Sequence, residues 1–241
     1  MSRRSAFMTS LLLAVCMTLL GASCSRSTEP TSMAAAPPTP QDARVFDFSA
    51  DHAGDIPAGF SAGLTGGGEP GDWQVQDSGD STADQVLTQL NADTTNARYP
   101  HLVLSSFAAR DVDVAVKFKT LSGEVDASGG IIFRYQNPDN YYVVRANALE
   151  GNVVAYKTQN GKRSNIGVKG QGDAYGVEAP VPHQAWNTLR VVAKGSLIEI
   201  FLNDRKLFEV EDHTFDTEGS VGLWTKADAV TQFDDLTIKA L

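Results

Sequence analysis

The sequence predicts an all-β sandwich or jelly roll, and three observations carry the prediction. Short apolar segments recur along the chain with Gly, Asn, Asp and Pro between them, the pattern of strands joined by turns. Asp111-Val-Asp-Val-Ala-Val-Lys-Phe-Lys119 alternates strictly, placing Val112, Val114, Val116 and Phe118 on one face. Long stretches of helical period are missing, while glycine is frequent and dispersed. The chain has 241 residues, 42% of them apolar, room for one sizeable β domain with its own core.

The N-terminus stands apart from that domain. Arg3 and Arg4 are followed by an apolar run from Ala6 to Leu20 and then by Leu20-Gly21-Ala22-Ser23-Cys24. This resembles a bacterial lipoprotein signal, in which small residues precede a cysteine that is cleaved and lipidated. Gly21 departs from the pattern, which carries leucine at that place. An ordinary secretory signal cut near Ser23 is the alternative, and the paired arginines hint at twin-arginine export. The apolar run is short of the roughly 20 residues that a spanning helix needs. Ser25 to Pro40 is rich in Pro, Ser, Thr and Ala and reads as a tether reaching about 50 Å. The expected division is a signal over residues 1–23, a disordered tether over 24–41 and a jelly-roll domain over 42–241. Cys16 leaves with the signal, so the mature chain keeps Cys24 for lipid and has no disulfide. Ser25 behind a lipidated cysteine implies an exported protein held in the cell envelope at the outer membrane, touching the membrane through its lipid alone.

The net charge of −9 repels phosphate backbones, which excludes nucleic acid as the expected partner and argues against a polybasic membrane surface.

Within the domain, strands are expected at Val45 to Phe48, Trp73 to Val75, Gln85 to Gln89, Leu102 to Leu104 and Asp111 to Lys119. Asp51 to Gly71 reads as a long turn-rich segment. Asn152 to Gln159 runs into Asn160-Gly161, a strong hairpin signal. Gly167 to Pro182 is an excursion. Trp186 to Lys194, Leu197 to Leu202, Lys206 to Val210, Val221 to Lys226 and Phe233 to Lys239 complete the set. Trp73 and Trp186 open strands and are expected in the core.

Gly129 to Arg145, GGIIFRYQNPDNYYVVR, reads as a hairpin about Asn137-Pro138-Asp139-Asn140. An even loop count pairs Gln136 with Tyr141, Arg134 with Val143 and Ile132 with Arg145. Ile131, Phe133, Tyr135, Tyr142, Val144 and Ala146 then face the core. Arg134, Gln136, Tyr141 and Arg145 share the other face, since an odd count would bury an arginine.

This hairpin, with NVVAYK and VGLWTKADAVTQFDDL after it, resembles the concanavalin A-like jelly-roll superfamily, nearest to laminin-G-like and 3-keto-disaccharide hydrolase-type domains. The resemblance spans roughly Arg44 to Ala240. It implies two antiparallel sheets, one of them bent, with a concave face on which many relatives hold glycans. Alternation over Val221-Gly-Leu-Trp-Thr-Lys226 turns Trp224 and Lys226 away from the core side. Arg134, Gln136, Tyr141, Arg145, Trp224 and Lys226 are therefore the candidate ligand residues. Aromatic rings stack on the C–H face of a pyranose, and guanidinium groups bond its hydroxyls in pairs. The alternative is that Trp224 packs under a loop and the arginines pair with neighbouring acids.

The expected function is an envelope-anchored carbohydrate-binding jelly roll. A glycoside-processing enzyme and a laminin-G-like protein-interaction module are the alternatives. The Glu-x-Asp-x-x-Glu strand of family-16 glycosidases is missing, and no catalytic residue carries over by motif. Glu124 and Asp126, in a glycine-bearing loop, are possible acids. Glu209, Glu211 and His213 read as a charged edge. His52, His101, His183 and His213 lack metal-ligand spacing. Structural calcium, which many relatives bind, is the one cofactor considered, with Asp47, Asp51, Asp234 and Asp235 near the two chain ends as its acids.

Overall fold

The computed structural model describes residues 43–80 and 83–241. The predicted signal and the tether with Cys24 lie outside the described residues. The chain forms β1 (Arg44–Phe46), β2 (Phe60–Gly66), β3 (Trp73–Asp80), β4 (Ala83–Gln89), β5 (Arg98–Ala109), β6 (Val112–Ser122), β7 (Ser128–Asn137) and β8 (Asn140–Asn147). It continues through β9 (Asn152–Gln159), β10 (Lys162–Asn165), β11 (Val177–Glu178), β12 (Asn187–Lys194), β13 (Leu197–Leu202), β14 (Arg205–Glu211), β15 (Gly219–Trp224) and β16 (Val230–Ala240). No helix occurs among the described residues.

The strands make two antiparallel eight-stranded sheets. One runs β14-β13-β12-β6-β16-β4-β3 with β1 on β16; the other runs β10-β9-β8-β7-β15-β5-β2 with β11 on β9. Val112, Val114, Val116 and Phe118 of β6 are all buried, as their alternation requires. They pack with Leu87, Phe233 and Ile238 of the first sheet against Leu102, Ile131, Phe133, Tyr142, Val144 and Leu223 of the second. Burying side chains of this size stabilises the fold by roughly 1.5–3 kcal/mol each.

Two expectations change. The segment expected as turn, Asp51 to Gly71, contains β2, which pairs with β5 from Phe60↔Leu104 to Gly66↔Arg98. Its Gly-rich, half-exposed sequence carries little strand signal; the free edge of β5 organises it. Gly63 belongs there because the His101 ring fills the place of a Cβ. Trp186 is not core: it is partly exposed, with Lys119 Nζ 4.8 Å from its ring centroid.

The β7–β8 hairpin turns at Pro138-Asp139, with Asn137↔Asn140 paired and Asn137 Oδ1 accepting from the Asp139 N–H at 2.9 Å. Below the tip the register breaks. Phe133 pairs with Tyr142, so Arg134, Tyr135 and Gln136 stand opposite Tyr141 alone. Arg134 adopts a left-handed φ of 48°, and the bulge reverses the direction in which the next side chain points. Ile131, Phe133, Tyr142, Val144 and Ala146 face the core as predicted, but Tyr135 joins Tyr141 on the outer side. Gly219 of β15 allows this, since a Cβ there would collide with the Arg134 backbone.

The second sheet also curls. β10 and β5 lie five places apart, about 24 Å in a flat sheet. The Arg163 guanidinium of β10 nevertheless lies 4.6 Å from the centroid of Tyr99 on β5. Tyr141 of β8 donates from its hydroxyl to Thr65 Oγ1 of β2 at 3.0 Å. The outer face of this sheet is therefore concave, with its two margins touching across the hollow.

Candidate functional site

Strand parity sends one set of side chains into this hollow: Tyr99 and His101 from β5, Trp224 from β15, Tyr141 and Arg145 from β8, Tyr156 from β9 and Arg163 from β10. Trp224 occupies the predicted face but is fully buried. Tyr99 stacks on it at 5.7 Å with 14° between the planes. Curvature, invisible to alternation, folds Tyr99 and Arg163 over the indole.

One end of the hollow is closed by packing. His101, Tyr135 and Tyr141 meet ring against ring, and Tyr141 is wholly buried. Burial raises its phenol pKa, opposed by the polar groups of Thr158, Thr65 and Trp224 beside the hydroxyl. Burial likewise lowers the His101 pKa to about 4, opposed by its bond to the Tyr99 carbonyl.

The other end is polar. Arg145 is buried, and its guanidinium donates to Asn152 Oδ1, to Glu150 Oε2 at 2.7 Å, to the Tyr156 hydroxyl at 3.1 Å and to the Tyr175 hydroxyl at 3.3 Å. Burial disfavours its charge, yet Tyr156, Glu150 and Asp126 outweigh burial and hold its pKa above the usual value. Glu150 is lowered in turn: burial raises it, and Arg145, Asn152 and Lys226 prevail. Tyr156 is raised, chiefly by burial. Its hydroxyl bonds to that of Tyr175, whose side chain is 52% exposed.

Beside this group, Lys226 Nζ donates to Asp126 Oδ2 at 3.0 Å, and Asn147 Nδ2 donates to the same oxygen at 3.1 Å. Asp126 is fully buried, and its Oδ1 has no hydrogen-bond partner. The segment bearing Lys226 grips the Asp126 loop a second time. The Asp228 carboxylate accepts from the backbone N–H groups of Glu124, Val125 and Asp126 at 2.7 to 3.1 Å. Those bonds lower the Asp228 pKa although burial opposes them. Arg98, also buried, ties this segment to its neighbours by donating to the carbonyls of Ala227, Asn91, Glu69 and Pro70.

Of the six predicted ligand residues, Arg145, Trp224 and Lys226 come together at this polar end. Tyr141 shares the face but lies in the packed end. Gln136 is exposed at the strand end and donates to the Glu218 carbonyl at 2.8 Å. Arg134 does not share the face: its expected position beside Arg145 is corrected by the bulge. It donates to the carbonyls of Arg110, Phe215 and Gly195 at 2.7, 2.9 and 2.5 Å, with Asp111 Oδ1 at 3.3 Å. Its guanidinium lies 6.0 Å from the core-facing Tyr142 ring. Burial is the first cause that lowers its pKa.

Sequence reasoning missed Tyr99, Glu150, Tyr156, Arg163, Tyr175 and Asp228. Parity could have found two of them. Tyr156 stands opposite Val143 and Arg163 opposite Thr158, on the face of Arg145.

The four acids proposed for calcium do not make a cage. Asp235 is paired with Lys117 at 2.6 Å, and Asp47 Oδ1 accepts from Ser49 N and Oγ. Asp234 is raised by burial first, and by Asp235 and Asp47. Among the described residues no group of three or more His, Cys, Asp or Glu side chains is placed to hold a metal ion.

Comparison with known proteins gives a family and a fold. Residues 62–239 match the model of the 3-keto-alpha-glucoside-1,2-lyase-like domain. No curated protein gives a significant match. The carbohydrate binding module CBM66 from Bacillus subtilis superposes with a TM-score of 0.58 at 21% identity, over 76% of this chain and 96% of that one. The cellulose induced protein Cip1 superposes with a TM-score of 0.59 at 12% identity, over 82% of this chain and 97% of that one. At these identities the superpositions establish the jelly-roll fold.

Proposed function

Because the chain belongs to the family of 3-keto-alpha-glucoside-1,2-lyase-like domains, we propose that the polar end of its concave face recognises carbohydrate. The observation that carries this reading is the convergence of Tyr156, Tyr175, Arg145, Glu150, Lys226 and Asp126 in one partly open cluster. Phenol rings offer faces for sugar C–H groups. The carboxylates and cations offer paired acceptors and donors for hydroxyls. The carbohydrate-binding name of the Bacillus subtilis module supports it.

Calorimetric titration of the mature domain with a panel of oligosaccharides tests the reading. Tyr175→Ala should weaken binding about tenfold, an aromatic contact of about 1.4 kcal/mol, and leave the fold intact. Binding that is unchanged in both Tyr175→Ala and Arg145→Gln would place the glycan elsewhere.

A second reading, elimination on a 3-keto-glycoside, is favoured by the unpartnered Asp126 Oδ1. This carboxylate would take the proton from C2, beside the ketone. The C1–O bond would break as the C1=C2 bond forms, and the proton held on Asp126 would pass to the departing oxygen, so that the aglycone leaves as its alcohol. Lys226 would balance the charge on the developing enolate. The test is release of aglycone and unsaturated ketone from a 3-keto-disaccharide, lost in Asp126→Asn. Absence of product with the native chain would reject it.

The N-terminal reading stands beside these: export, with a lipid on Cys24 and residence at the outer membrane. Labelled fatty acid retained by the native chain and lost in Cys24→Ala would support it. A mature N-terminus without lipid would not.

A further inference from the structure

We propose that Arg163 is a receptor for a carboxylate, and that the glycans taken by this face carry an acidic sugar; the proposal rests on the carbohydrate reading of the concave face. Arg163 projects from the edge strand β10 into the hollow. Its guanidinium lies 4.3 Å from the Tyr156 ring centroid, 4.6 Å from Tyr99 and 5.6 Å from Trp224. Three aromatic rings surround the group on its apolar side. It makes no hydrogen bond or ion pair with any described residue, and its Nη1 is buried without a partner.

The neighbouring cations differ. Arg145 is matched by Glu150 and Lys226 by Asp126, which leaves Arg163 as a third positive charge with no acid of its own. Arg163 is half-buried, and its Nη1 is removed from water without an acceptor, a cost that π faces offset only in part. A planar fork held between rings is pre-organised for one partner geometry, the two oxygens of a carboxylate. A neutral diol would fill the hydrogen bonds but leave the charge. The ring faces around the group, with the polar cluster beside it, suit a pyranose bearing the acid, that is, a hexuronate.

The test is titration of the mature domain with paired disaccharides that differ only in oxidation of C6, glucose against glucuronate. The acidic member should bind at least about tenfold more tightly, with the advantage shrinking as salt rises. Arg163→Gln should abolish the advantage, so that the acidic and the neutral sugar bind within about twofold of each other. Arg163→Lys, which keeps charge without the fork, should retain part of it. Equal binding of the two sugars by the native chain would overturn the proposal while sparing the carbohydrate reading. Binding of neither, with the fold intact by circular dichroism, would overturn both.

Discussion

Arg134 and Arg145 leave adjacent strands on opposite sides of the sheet. Arg145 enters the outer hollow among Glu150, Asn152, Tyr156 and Tyr175. Arg134 enters the end of the sandwich and binds the chain at Arg110, Gly195 and Phe215. One arginine lies in the concave face, and the other fastens three loops.

Stability should therefore respond to Arg134 where glycan affinity does not. Arg134→Met leaves three carbonyls without their donor and removes the buried partner of the partly exposed Asp111. A loss of about 3 kcal/mol is expected from charge-assisted bonds of this kind. Urea unfolding should show that loss, and calorimetry should find sugar affinity within twofold of the native value.

His101 sets an acid limit. Its folded pKa of about 4 lies below the ordinary value of 6.5, so the unfolded chain binds this proton more readily. Stability from the neutral ring is complete above pH 6.5 and falls as pH drops toward 4, by about 3 kcal/mol in total. Below pH 4 both states are protonated and the decline ends. Denaturation at pH 7 and pH 4 should show this component in the native chain and lose it in His101→Phe.

Asp228 should govern the order of the Asp126 loop. Asp228→Ala leaves the amides of Glu124, Val125 and Asp126 without their acceptor. A destabilisation of about 2–3 kcal/mol is expected. Hydrogen exchange should accelerate at those three amides, while amides in β6 keep their protection. Unaltered exchange at residues 124–126 would show that the loop holds itself.

The frame was legible because it follows from alternation. The β6 valines, the inward Ile131, Phe133, Tyr142 and Val144, and the outward Trp224 all obey period two. The features that escaped did so for physical causes. Arginine is no signal for a left-handed residue, so nothing at Arg134 announced the bulge that turned it inward and Tyr135 outward. Curvature comes from the assembled sheet, so the cover laid by Tyr99 and Arg163 on Trp224 could not be read from any single strand. The excursion holding Tyr175 has no periodicity, and Glu150 and Asp228 act from short loops where position depends on neighbours distant in sequence.

Gly130 has an outsized effect on the hollow. It stands opposite both Trp224 and Arg145, and a Cβ there would meet the Val144 carbonyl at 3.0 Å and Arg145 Cβ and Trp224 Cε3 at 3.3 Å. The indole settles low because that methyl is missing, and the tyrosine above it settles with it. A single added carbon would lift the whole aromatic stack. The depth of the cleft is thus a property of the smallest residue beneath it, a handle for resizing the face by a single carbon.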